Sequence, residues 1–156
     1  TLLIIALSTI AIAACSNYPS SPSALLLTSD DFPTEAVTEI TKDLGITNND
    51  EPAVQVELKA PGFTIIESLV LFETREWALA ILAGINQDHA ALGIVSASVE
   101  GFDDSSGIIV EHLDGEKAST VFFVEGRSLV KITVKGDNGV ASIWEIARRA
   151  RKKAEG

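Results

Sequence analysis

The sequence predicts an α+β domain: a mostly antiparallel sheet of about five or six strands, packed by two long helices near 74–91 and 138–154 and a short N-terminal helix. Three observations point there. Short runs alternate apolar and polar residues, as Val54, Val56 and Leu58 do with Gln55, Glu57 and Lys59. Clusters of turn residues separate those runs. Two longer stretches carry apolar residues at steps of three and four.

The domain is expected to span 24–156. Thr34 to Leu44 reads as the short helix, with Val37, Ile40, Thr41 and Leu44 on one side and Gly45 as its stop. Asn48-Asn49-Asp50-Glu51-Pro52 is a turn cluster, followed by the strand around Val54 to Leu58. Pro61-Gly62 turns the chain into a second strand, Phe63 to Phe72, which carries few charges. A helix follows over about 74–91, capped by Thr74, with Trp77, Ile81 and Ile85 at steps of four beside Ala78 and Leu82. Four more strands are expected at 94–99, 108–113, 120–124 and 129–134. Glu125-Gly126-Arg127-Ser128 should close a tight hairpin with Gly126 at positive φ. In the last strand Val130, Ile132 and Val134 face a core, while Lys131, Thr133 and Lys135 face a wet or partly covered side. The final helix opens at Asp137 or Asn138, and Val140, Ile143, Trp144 and Ala147 form its apolar stripe. The two tryptophans are expected in the core, where aromatics bury the most area.

Ahead of the domain, Leu2 to Ala14 is an apolar run of 13 residues. A membrane-spanning helix needs about 20 apolar residues, whereas the apolar part of a secretory signal needs only about 7–15. The run is therefore read as a signal over 1–14. It opens at Thr1 without Met or a basic start, so the reading expects a few residues ahead of Thr1. Ile12-Ala13-Ala14-Cys15 closes the run, and Cys15 is the only cysteine of the chain. This tetrapeptide resembles the lipobox of prokaryotic lipoproteins: an aliphatic residue, two small residues, then cysteine. The resemblance implies a diacylglyceryl group on the Cys15 sulfur and cleavage before Cys15, so that the lipid tethers the mature protein to the membrane. Two acyl chains anchor stably where one does not. Residues 15–23, rich in Ser and Pro, then read as a flexible linker with a reach of about 15 Å. The globular part in turn resembles small exported α+β domains of unknown role, the PsbP-like sandwiches among them, a likeness of fold that carries no function.

Charge narrows the partners. The 156 residues carry a net charge of −10. Five of the 12 basic residues, Arg148, Arg149, Arg151, Lys152 and Lys153, lie in the last helix, leaving 7 Lys and Arg against 21 Asp and Glu in residues 16–147. Such a body repels nucleic acid. The basic tail complements the helix dipole and is expected to stay solvated, with lipid headgroups or teichoic-type polymers as an alternative contact.

Past Cys15 no residue set is assigned as catalytic, cofactor-binding or metal-binding. His89 and His112 lack further ligands at zinc spacing. Asp103-Asp104-Ser105-Ser106-Gly107 and Asn48-Asn49-Asp50-Glu51 offer oxygens without the ligand order of a calcium loop, so both read as solvated turns. Glu73 with Glu76, and Asp114 with Glu116, could do acid–base work only in a shared cleft. No phosphate-cradling glycine loop or nucleophile elbow occurs. Phe122, Phe123, Trp77 and Trp144 read as core, with a pocket lining as the alternative. The functional expectation is a tethered extracytoplasmic lipoprotein that binds an envelope protein or a small ligand. The alternatives are a small envelope hydrolase with a carboxylate site, or an accessory or sensor domain of an envelope complex.

Overall fold

The computed structural model of the chain describes residues 21–47, 49–94, 101–102, 104–136 and 139–155. The signal and lipobox residues, including Ile12, Ala13, Ala14 and Cys15, lie outside the described residues. So do most of the strand expected at 94–99, the opening of the last helix at 137–138 and the side chains of 139–142.

The strands are β1 (Thr38–Ile46), β2 (Pro52–Ala60), β3 (Phe63–Leu71), β4 (Ile109–Leu113), β5 (Glu116–Glu125) and β6 (Ser128–Lys135); the helices are α1 (Arg75–Ala91) and α2 (Gly139–Ala154). All six strands join one antiparallel sheet in the order β1-β2-β3-β6-β5-β4. The α+β class and the antiparallel sheet are as the sequence predicts.

Turn chemistry sets the register. Pro61-Gly62 joins β2 to β3 with Gly62 at φ +89°. Asp114-Gly115 joins β4 to β5, both residues at positive φ, as a right-twisted two-residue hairpin demands. Gly126 turns β5 into β6 at φ +54°. Thr74 caps α1 by accepting the Trp77 N–H at 3.2 Å.

The sheet has two unequal faces. On one, Val56, Leu58, Ile65, Leu69, Val121, Phe123, Val130, Ile132 and Val134 are buried beneath α2 and an N-terminal strap, the segment Leu25–Phe32. Leu25, Leu26 and Leu27 are all but fully buried there, and Ile143, Ala147, Ala150 and Ala154 are the matching stripe of α2. On the other face α1 packs Ala78 and Leu82 over Phe72, Val124 and Leu129, making its main contacts with β5 and β6.

Two expectations are corrected. The segment 34–44 does not form the short helix: Thr38 to Ile46 is strand β1, and Gly45 stands at a bulge opposite Ala53 with φ +78°. The apolar positions at steps of three and four fitted a helix. Thr38, Ile40 and Thr41 are β-branched, however, and the free edge of β2 offers them a ladder. The N-terminal helical turns are instead two short 3₁₀ pieces, Pro22–Leu25 and Ser29–Asp31. Trp77 is not in the core. It is 50% exposed, because α1 docks through Ala78 and Leu82, next to the Trp77–Ile81 row and not along it.

Candidate functional site

α1 covers the β5–β6 part of its sheet face and leaves the β1–β3 part beside it without a covering helix among the described residues. The result is a shelf. Strand parity sends Gln55, Glu57 and Lys59 of β2, and Thr64, Ile66, Ser68 and Val70 of β3, to this side. All of these but Lys59 are half-buried. Register continues the row through Ile40 and Lys42 of β1 and Lys131 of β6. Above the shelf stands the Trp77 row of α1. Trp77 closes one end against Pro52, Leu71, Phe72 and Arg127, around a cavity of about 370 Å³. Ile81, one turn on, is 39% exposed. A half-exposed indole beside half-buried aliphatic side chains offers apolar area together with an N–H donor.

The lysines concentrate here. Of the seven basic residues between 16 and 147, Lys42, Lys59, Lys131 and Lys135 lie on this face by register. Lys59 pairs with Glu57 at 3.2 Å and Lys135 with Asp114 at 3.3 Å. Lys131 lies 5.6 Å from the centre of the Phe122 ring.

The opposite face holds a group the sequence reading passed over. Glu67 of β3 is fully buried beneath the strap. Its Oε2 accepts the Leu27 N–H at 2.6 Å, and its Oε1 has no hydrogen-bond partner among the described residues. Burial pushes its pKa up to about 8; the Leu27 N–H and Lys153 pull it down, and the charge of Asp31 adds to the rise. Parity was the signal: Ile65, Glu67 and Leu69 must share one face of β3. Nearby, Asp31 pairs with Lys153 at 3.1 Å and accepts from Thr28 N at 2.8 Å. Burial raises the Asp31 carboxyl, but those partners outweigh it and hold it below the usual range. Arg149 donates to the Asp31 carbonyl at 2.9 Å and sits 5.1 Å from the Phe32 ring centre. The strap is therefore clamped by the sheet and by α2 at once. The cations expected to stay solvated at the end of α2 do so at Arg148 and Lys152. Arg149, Arg151 and Lys153 are half-buried and engaged, Arg151 with Glu125 at 2.6 Å.

The remaining candidates stay apart. His89 ends α1 against Phe122, ring centres 5.9 Å apart, and His112 is exposed on β4. Among the described residues no three His, Cys, Asp or Glu side chains gather as metal ligands. Glu73 borders the Trp77 cavity without Glu76, and Asp114 and Glu116 are both exposed. Asp104 pairs with Arg75 at 2.6 Å. Phe123 is core, Phe122 and Trp144 are half-buried, and Trp77 lines the cavity. No described helix is long and apolar enough to cross a membrane.

An antiparallel sheet with α2 and a strap on one face and a part-covered opposite face defines the class: a small α+β domain with an open shelf. No family model matches the chain, and no curated protein does. Among solved structures the fold is similar to the crystal structure of the extracellular domain of PknH from Mycobacterium tuberculosis. The TM-score is 0.61 and the identity 15%, over 85% of this chain and 93% of that one. At that identity the likeness is one of fold.

Proposed function

We propose that this chain is an extracytoplasmic binding domain, tethered to a membrane through lipid on Cys15, whose shelf beneath Trp77 takes its ligand or partner. The half-exposed Trp77 beside a sheet face that no described helix covers carries the binding reading, because an indole next to half-buried aliphatic side chains offers a partner apolar contact area. The apolar leader ending in Ile12-Ala13-Ala14-Cys15 supports the tether. The likeness to an extracellular domain supports the location, and it fits the sensor role as well as simple binding.

Two measurements test the two halves separately. Titration with the apolar dye anilinonaphthalene sulfonate should quench indole emission in the parent, and Trp77→Ala should lose that binding. Unchanged dye binding in Trp77→Ala overturns the shelf. Fatty-acid labelling and membrane fractionation of Cys15→Ala should show loss of both label and membrane association. A Cys15→Ala protein that labels and sediments like the parent overturns the tether.

A further inference from the structure

Resting on the shelf as the binding site, we infer that its ligand is a small anionic amphiphile. One carboxylate, sulfonate or phosphate group lies over the row Lys42–Gln55–Ser68–Lys131, and an apolar body extends along Val70 toward Trp77. Register draws that row straight across four strands: Lys42 stands opposite Gln55, Gln55 opposite Ser68, and Ser68 opposite Lys131. Residues directly opposite one another share a face, and each of these four can donate. Ser68 Oγ donates to Gln55 Oε1 at 3.2 Å, which leaves the Gln55 amide N–H groups for a ligand. Lys42 and Lys131 are exposed, and neither forms an ion pair with a described residue. A lysine stem outreaches the strand spacing of about 4.8 Å, so Lys42 from β1 and Lys131 from β6 can both extend over the Gln55–Ser68 pair between them. Lys131 leaves the Phe122 ring to do so, exchanging an exposed cation–π contact for a stronger charge-assisted hydrogen bond.

Charge sets both the class of ligand and its orientation. At the register positions of β1, β2, β3 and β6 that share this face, the one carboxylate is Glu57, and Lys59 matches it at 3.2 Å. Glu39 of β1 belongs to the other face, where it accepts from Ser29 N at 2.9 Å. Asp43 pairs in register with Val54, a residue of the core beneath α2. The Trp77 end has the opposite sign: Asp50, Glu51 and Glu73 line that cavity against one cation, Arg127. An anionic group is therefore drawn to the lysine row and repelled from the cavity, which is left to the apolar body.

Size favours a small molecule over a protein. The Trp77 cavity of about 370 Å³ falls within the range of about 300–1,000 Å³ typical of small-molecule sites. By strand spacing and rise, the β1–β3 surface measures about 10 Å by about 27 Å. That footprint of roughly 300 Å² is well short of the roughly 800 Å² per partner that a stable protein interface buries.

The test uses the full chain and three probes with the same alkyl chain, each below its micelle concentration: decanoate, decyltrimethylammonium and decyl maltoside. Calorimetric titration should show decanoate binding at least about tenfold tighter than either of the others. Lys42→Gln with Lys131→Gln should remove that preference and leave the urea midpoint in place, whereas Lys42→Arg with Lys131→Arg should retain it. Raising the salt concentration should weaken decanoate and spare decyl maltoside. If decyl maltoside binds as tightly as decanoate and both need Trp77, the shelf stands and this inference falls. If none of the three probes binds, the shelf falls with it. Decanoate binding that survives Lys42→Gln with Lys131→Gln but is lost in Arg148→Gln with Lys152→Gln puts the anion at the end of α2 and overturns the inference. Phosphatidylglycerol vesicles that capture the chain through Lys42 and Lys131, where decanoate does not bind, overturn it in favour of a membrane surface.

Discussion

Glu67 is the residue whose chemistry diverges furthest from its surface counterparts. Its folded pKa, about 8, lies above the ordinary glutamate value of 4.5. Between those two values the folded chain holds a proton that the unfolded chain has released. Stability must therefore fall as pH rises from about 5 to about 8, by roughly 1–2 kcal/mol per unit at most. Urea unfolding of Glu67→Gln should show little change near pH 5 and a higher midpoint than the parent near pH 8. Asp31 acts with the opposite sign. Its lowered pKa gives stability that is present above the ordinary aspartate range and lost as pH falls through and below it. The parent should accordingly be most stable in mild acid. Gly136 is fixed by geometry: at φ +114° an added Cβ would run into the Gly62 carbonyl oxygen. Gly136→Ala should cost about 3 kcal/mol, read from the same urea curves.

At the scale of elements, the two helices divide the work. α2 holds the core: Ile143 is fully buried and its alanines admit the helix close to the sheet. Ile143→Ala should lower stability by about 3 kcal/mol. α1 presents a surface. Trp77→Ala should cost under about 1 kcal/mol in thermal unfolding, because half of the indole is already in water. A large loss would show that Trp77 is core after all. β1 marks where periodicity misled: Val37, Ile40, Thr41 and Leu44 satisfy a helical stripe, and Thr38, Ile40 and Lys42 satisfy a strand equally well. Glu67 was legible from parity alone, yet its strand was read for its low charge and not for which face the one acid took.

Across the whole molecule, the strap ties the N-terminal end of the domain to both the sheet and α2. Leu26 sits just past the Ser/Pro segment and is nonetheless 2% exposed. Leu26→Ala should therefore destabilise the entire domain by about 3 kcal/mol in calorimetry, not merely loosen a tail. Glu67, through the Leu27 N–H, and Lys153, through Asp31, hold this segment to the sheet and to α2. The charge distribution belongs to this scale too. In a chain of net charge −10, four lysines share one sheet face, and the acids lie mostly elsewhere.

The sequence by itself determined the α+β class, five of the six strands, both long helices and the hairpin turns. Local chemistry sets these: side-chain alternation, caps, and glycines that tolerate positive φ. Tertiary structure alone decided that 38–46 joins the sheet, that Trp77 looks outward, and that a carboxyl group is sealed under the strap. Each depends on which surface a segment meets, and a free strand edge or a neighbouring alanine row lies far away along the chain.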